Sequence, residues 1–200
     1  MTGDADPFQP VNRGFHTLND GVDDVLVRPI AQTYVDYTPK SVRTGVSNFF
    51  DNVGYLNVIL NDFLQGKFVQ GFSDTGRFLI NSTLGIGGLF DPATQMGFEK
   101  HNEDLGQTFG VWGLSEVAYL ELPAFGPSSV RDAPGIPLSF YTNLLFHVGN
   151  PAVTIPLGIF GAIDKRSQLL DATRLRDESA LDTYIFTREA YRQRRVHLLH

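Results

Sequence analysis

The 200 residues contain no cysteine, one tryptophan and two methionines. The first absence excludes a disulfide, a thiolate nucleophile and a Cys-ligated metal, and it leaves the redox compartment open. Positive charge is also short: 16 Lys and Arg stand against 22 Asp and Glu, a net charge of -6. That balance excludes a general nucleic-acid binder, which needs a dense basic surface to release phosphate counterions. The opening Met1 to Asp6 carries neither a basic region nor an apolar run, so it says nothing about localisation. With 42% apolar residues the chain is too hydrophobic for disorder. Residues 1–200 read as one domain, with residues 1–5 outside its folded part.

A second absence is local. Between Asp132 and Asp164 lie 31 consecutive residues, Ala133 to Ile163, with no Asp, Glu, Lys or Arg. The run is cut by Pro134, Pro137, Pro151 and Pro156, and its longest proline-free piece, Leu138 to Asn150, has 13 residues. At about 1.5 Å per residue that piece spans roughly 20 Å, short of a hydrocarbon core roughly 30 Å thick. It cannot cross a bilayer as one straight helix. Two readings stand: a pair of core helices, or an insertion into one leaflet. Phe140, Tyr141, Leu144, Leu145, Phe146 and Val148 are apolar around most of the helix, which requires burial on every side by protein or by lipid. Conversely, half of the positive charge falls in residues 164–200, including Arg188, Arg192, Arg194 and Arg195. These arginines read as a solvated helix face, and a binding role for them needs separate support.

Elsewhere the chain reads as helix. Asn12 to Val25 and Pro29 to Tyr37 look amphipathic. Thr38-Pro39 reads as an N-cap followed by proline at the first helical position, opening a helix to about Leu64 whose apolar positions run from Val46 to Leu64. Phe68 to Leu84 supports another, ending in Gly85-Ile86-Gly87-Gly88. Asp91-Pro92 repeats the cap-plus-proline pattern. Period-two alternation in Thr108 to Trp112 and Ala118 to Leu122 predicts one hairpin turning at Gly113 to Glu116. Ser128-Ser129 reads as a turn and cap. Ser179 with Asp182 resembles a capping box opening the last helix near Ala180. The fold class is therefore all-α with one short hairpin.

Chemistry is not legible. The five histidines form no helical ligand pair, which leaves no metal site to nominate. No nucleophile elbow occurs, and neighbouring acids such as Glu103-Asp104 share no helix face, so no catalytic residue is assigned. The glycine string Gly85, Gly87, Gly88 lacks the ending of a phosphate-binding loop; it reads as a tight packing turn or as a hinge.

Several strings occur together in one order: Asp6-Pro7-Phe8 with Val11-Asn12-Arg13; Asn81 to Asp91; Glu103 to Gly113; Leu122-Pro123 with Gly126 to Asp132; and a tail from Leu169 to Arg195. In this combination the sequence resembles the VacJ/MlaA family. The resemblance implies an outer-membrane lipoprotein of Gram-negative bacteria, not an enzyme, that removes misplaced phospholipid from the outer leaflet and so maintains lipid asymmetry. It implies a ring of short helices in the periplasmic leaflet, beside a trimeric porin, with an amphipathic channel leading to a soluble periplasmic carrier. Phospholipid would be the transported ligand, with no cofactor. The family's signal peptide and lipidated cysteine are not among these residues, which would then be the mature part of a lipid-anchored form. Ser115 to Ala118 stands where many members have a Gly-x-Gly-Pro string. Under this reading Leu138, Phe140, Tyr141, Leu144, Leu145, Phe146, Val148, Ile155, Leu157, Ile159 and Phe160 face membrane or porin, Gly85, Gly87 and Gly88 form a hinge or channel loop, and Arg188, Arg192, Arg194 and Arg195 contact a lipid headgroup or the carrier. The reading from another class is a soluble scaffold whose segment 133–163 is core or subunit interface.

Overall fold

A computed structural model describes residues 6–199, so the reading of residues 1–5 lies outside the described residues. The chain is mostly helical with a single two-stranded hairpin among the described residues. Helix α1 (Gln9–Val22) passes through a π-helical turn (Asp23–Val27) into α2 (Arg28–Tyr37). Thr38 ends α2 in an extended conformation, ψ 121, because a residue before proline is pushed out of the helical region. Pro39 itself takes the cap position of α3 (Lys40–Gly54), at φ -55 and ψ 144, which corrects the expected Thr38 cap. The expected single helix to Leu64 also divides: Tyr55 N–H turns back to the Asn52 carbonyl at 3.1 Å, and α4 (Leu56–Leu64) starts afresh.

Helix α5 (Phe68–Thr83) packs antiparallel on α4 across the turn at Gly66. Asp91 caps the short α6 (Pro92–Gln95), accepting from Thr94 N–H at 3.1 Å as expected. Asp104 does the same for α7 (Leu105–Val111), through Gln107 N–H at 2.9 Å. This helix replaces the strand expected at Thr108 to Trp112. A filled cap outweighs the modest strand preference of Thr, Phe and Val.

The hairpin is therefore built one strand later, from β1 (Tyr119–Leu122) and β2 (Gly126–Ser129), paired Tyr119 to Ser129 and Leu122 to Gly126. Ser128-Ser129, expected as turn and cap, lies in β2, although Ser129 Oγ still accepts from Asp132 N–H at 3.1 Å. The outer edge of β1 is closed by α1. Asn12 donates to the Tyr119 carbonyl and accepts from Glu121 N–H, both at 3.0 Å. Two turns later Asn19 donates to the Leu122 carbonyl and accepts from Ala124 N–H, each at 2.9 Å. Two side-chain amides thus substitute for a neighbouring strand and leave no free ladder at that edge.

The charge-free run folds as α8 (Gly135–Thr142), a 3-10 turn (Leu144–His147) and the start of α9 (Pro151–Ser167). It breaks where polar caps permit: Asn143 accepts from Leu145 N–H and Asn150 from Ala152 N–H, both at 3.0 Å. Helix α10 (Leu170–Ser179) follows, and α11 (Thr183–Leu198) is capped by Asp182 through Ile185 N–H at 3.1 Å. Ser179 instead closes α10 by donating to the Leu175 carbonyl at 2.5 Å, so no capping box forms with Asp182. Helix α9 lies on α2 and α3, fixed there by Asp164, a buried carboxylate accepting from Tyr34 Oη at 3.1 Å, Ser47 Oγ at 2.9 Å and Gln168 Nε2 at 3.0 Å.

Candidate functional site

The distribution of polarity is reversed from that of a water-soluble fold. Among the described residues, nine hydrophobic side chains are buried against 18 polar or charged ones, while large apolar side chains stand exposed on nearly every helix. Charged residues are almost never fully buried in soluble domains unless paired. Here Asp62, Asp74, Arg77, Glu103, Asp164, Arg188 and Arg195 all are. The accessible surface is 11874 Å². A folded soluble monomer of this mass would show about 9,400 Å². The surplus is apolar in character: Val25, Tyr37, Val69, Phe72, Tyr141 and Leu181 are all more than two-thirds exposed.

The expected apolar face is assembled in space but not uniformly exposed. Phe140, Tyr141, Leu144, Phe146 and Val148 are exposed, and Ile155 and Ile159 extend the same character along α9. The rings of Phe140 and Phe146 meet edge to face at 5.0 Å. Leu138 and Leu157 are half-buried. Phe160 turns inward, with ring contacts to Tyr34 at 5.5 Å and Phe50 at 5.8 Å. Leu145 departs from the expectation altogether: at 7% exposure it plugs the 3-10 turn into the fold, since a turn of three residues points every third side chain the same way.

The Gly85 to Gly88 loop is tightly bonded. Gly88 N–H reaches the Asn81 carbonyl at 2.9 Å and Phe90 N–H reaches Gly85 at 2.9 Å. Gly88 adopts φ +93 with the Asn52 side chain where a Cβ would stand, and a Cβ on Gly85 would run into the carbonyls of Asn81 and Phe90. Gly87, at φ +70, faces open space. Gly88→Ala is therefore expected to cost about 2 to 5 kcal/mol, overpacking added to a left-handed alanine, and Gly87→Ala only about 1 to 2 kcal/mol. Chemical denaturation in detergent measures the difference.

The arginines separate as well. Arg195 is buried between Asp104 at 2.5 Å and Asp132 at 2.9 Å, and Arg188 is buried against Glu189 at 2.9 Å with Asp6 at 3.7 Å. For these two the solvated face is corrected: they hold α11 to the rest of the chain. Arg192 is half-buried on Glu116 at 3.3 Å, and Arg194 is exposed. Burial works against the Arg195 charge, but Asp104 and Asp132 outweigh it and raise its pKa further. Burial likewise pushes the Asp104 carboxyl up, and the Arg195 guanidinium overcomes this and holds it below the usual carboxylate range.

The polar interior of α4 and α5 was not legible in the sequence. Lys67 Nζ sits on Glu103 at 2.7 Å, Gln70 donates to Asp62 at 2.6 Å, and His101 Nδ1 lies 3.0 Å from Asp74. Beside them opens a groove of about 600 Å³ lined by Lys67, Phe68, Val69, Gln70, Ser73 and His101. Its lining mixes charge and hydrogen-bonding groups with the apolar Phe68 and Val69, a combination suited to an amphipathic molecule. The available signal was a polar stripe on α5, where Gln70, Asp74, Arg77 and Asn81 recur at helical spacing.

Comparison with known proteins matches these features. The MlaA lipoprotein family matches residues 4–198. The intermembrane phospholipid transport system lipoprotein MlaA of Escherichia coli K12 is 35% identical over 201 residues, covering 96% of this chain and 77% of that protein. Its counterpart from Haemophilus influenzae is 27% identical, covering 94% and 76%. A chain solved to explain the structural basis for maintenance of bacterial outer membrane lipid asymmetry superposes with a TM-score of 0.83 at 30% identity, covering 98% of this chain and 100% of its own length. With nearly every element matched in sequence and in space, the chain belongs to the MlaA lipoprotein family.

Proposed function

We propose that this protein transports phospholipid at the bacterial outer membrane and so maintains lipid asymmetry, without making or breaking a covalent bond. The observation that carries the reading is the reversed polarity: an exterior rich in Phe, Leu, Ile and Val around an interior of ion pairs and amides. Such an exterior is stable in hydrocarbon and costly in water, where each Å² of exposed apolar surface costs about 25 cal/mol. Among the described residues no helix is long and apolar enough to cross a membrane. Short proline-broken helices such as α8 and α9 suit a ring lying in one leaflet rather than a span. The periplasmic leaflet, a lipid anchor in the full-length form, a trimeric porin against the apolar face and a soluble periplasmic carrier complete the proposal. Among the described residues Arg194 is the exposed member of the arginine run, and it would meet a headgroup or the carrier. The chain acts as one folded unit, with phospholipid as its ligand and no cofactor.

Gentle purification followed by native mass spectrometry tests this. A phospholipid mass riding on the chain, and aggregation when detergent is withdrawn, are the expected results. A lipid-free protein that stays monodisperse without detergent would instead favour the soluble scaffold.

A further inference from the structure

Helices α4 and α5 each place one carboxylate in the seam between them, Asp62 and Asp74, neither with any exposed surface. Asp74 is well supplied with donors: the Tyr55 hydroxyl at 2.9 Å and His101 Nδ1 at 3.0 Å. Asp62 is not. Its Oδ1 accepts from Gln70, but Oδ2 is buried and among the described residues no N–H or O–H reaches it. What stands within hydrogen-bonding reach is the Asp74 carboxylate. Two bare carboxylates in contact and away from water repel, and a buried acceptor left unsatisfied adds a further penalty. One proton on Asp62 Oδ2 removes both problems, turning the orphan acceptor into a donor to Asp74. We infer that Asp62 and Asp74 share a single proton and act as a proton-operated latch, holding the α4–α5 hairpin closed beside the groove.

The surrounding charges do not offer a substitute. From the α4–α5 turn, Lys67 is committed to Glu103 at 2.7 Å, and on α5 Arg77 is committed to Asp91 at 2.5 Å. The segment after α6 contributes Glu103, the exposed Glu99 and His101, whose ring nitrogen faces Asp74 rather than Asp62. Lys100 is committed to Asp51 at 2.5 Å, and among the described residues no cation reaches Asp62. Burial, then the bond and charge of Asp74, push the Asp62 carboxyl up to about 7. The latch therefore gives full stability below the ordinary carboxylate range and loses it as pH rises toward and through about 7. Because Gln70 touches both Asp62 and Glu103, and lines the groove with Lys67 and His101, loss of the proton is felt in the groove wall.

The test is amide hydrogen exchange of residues 56–83 in the full chain in micelles at about pH 5 and about pH 8, corrected for intrinsic rates, alongside carbon-13 titration of the Asp62 carboxyl. Protection should fall at least about tenfold at the higher pH, and Asp62→Asn, whose amide donates at every pH, should abolish that fall. The Asp62 carbon should titrate near neutrality. A carboxyl titrating near its ordinary value of about 3.9 overturns the latch. So does a pH dependence that survives in Asp62→Asn, which would belong to a group outside the pair. If Asp62→Asn fails to fold, the wild-type carboxyl titration decides alone.

Discussion

Arg195→Ala is expected to destabilise the fold by about 3 kcal/mol, a shift in denaturation midpoint that Arg194→Ala does not approach. The guanidinium is buried and ties three elements: Asp104 at the start of α7, Asp132 after β2, and α11 itself. Its removal leaves carboxylates without their main cation, and breaking a buried pair from one side costs roughly 3 to 5 kcal/mol. The lower end applies because Arg131 still reaches Asp132 at 2.8 Å. The site has no room for repair: a Cβ on Gly106 would already meet the Asp132 carboxylate and the Arg195 guanidinium. Arg194→Ala, on an exposed side chain, should change stability by less than about 0.5 kcal/mol. The pH dependence follows the depressed Asp104 carboxyl. Its contribution is present above the usual carboxylate range and is lost as pH falls through the folded value, in the acid region below about pH 4. Urea titrations of the two variants and of the parent at neutral and acid pH check each part. Equal stability of Arg195→Ala and the parent would show the cluster to be energetically neutral.

Ile155→Asp should weaken membrane partitioning by about 2.5 to 3.5 kcal/mol, a loss of roughly a hundredfold, while leaving the unfolding midpoint in detergent nearly unchanged. Ile155 is 61% exposed on α9, so an aspartate there disturbs no internal contact but brings a charge into any apolar phase that covers the face. Leu145→Asp is the instructive contrast. Leu145 is 7% exposed, and its replacement buries an unpaired carboxylate and unfolds the chain before partitioning can be measured. Co-flotation with vesicles of bacterial phospholipid, read beside a denaturation curve, distinguishes the two. Unaltered flotation of Ile155→Asp would show that this surface meets no hydrocarbon.

Helices were legible where apolar residues recur at helical spacing, and one break where Asp91-Pro92 offers a cap, but the break at Asn143 inside Leu138 to Asn150 was not. The sequence misled where a local pattern competes with a capped neighbour: Thr108 to Trp112 alternates like a strand, but Asp104 had already opened a helix. It misled again at β2, where Ser128-Ser129 reads as a turn and cap: Gly126-Pro127-Ser128-Ser129 has no strand-forming side chain and is extended because β1, itself clamped by Asn12 and Asn19, pairs with it. The interior was the least legible part. Reading polar as outside assigns Arg188, Arg195, Asp62 and Glu103 to solvent, and only the fold shows that each faces another charge or amide. Because Ala133 to Ile163 excludes Asp, Glu, Lys and Arg entirely, composition demanded burial by protein or by lipid, and only the fold separates Leu145, which turns inward, from Phe140 and Ile155, which do not.

The polar interior also fixes how stability should respond to temperature. The heat capacity of unfolding comes mainly from hydrating apolar groups that folding had hidden, with polar groups contributing in the opposite sense. In this chain the hidden side chains are largely Asn, Asp, Glu and Arg, and the apolar ones remain against their surroundings whether or not the interior is intact. Calorimetry in micelles should accordingly find a heat capacity increment well below the usual value of about 12 to 15 cal/mol/K per residue. The stability curve would then be broad and shallow, with cold denaturation displaced far below freezing.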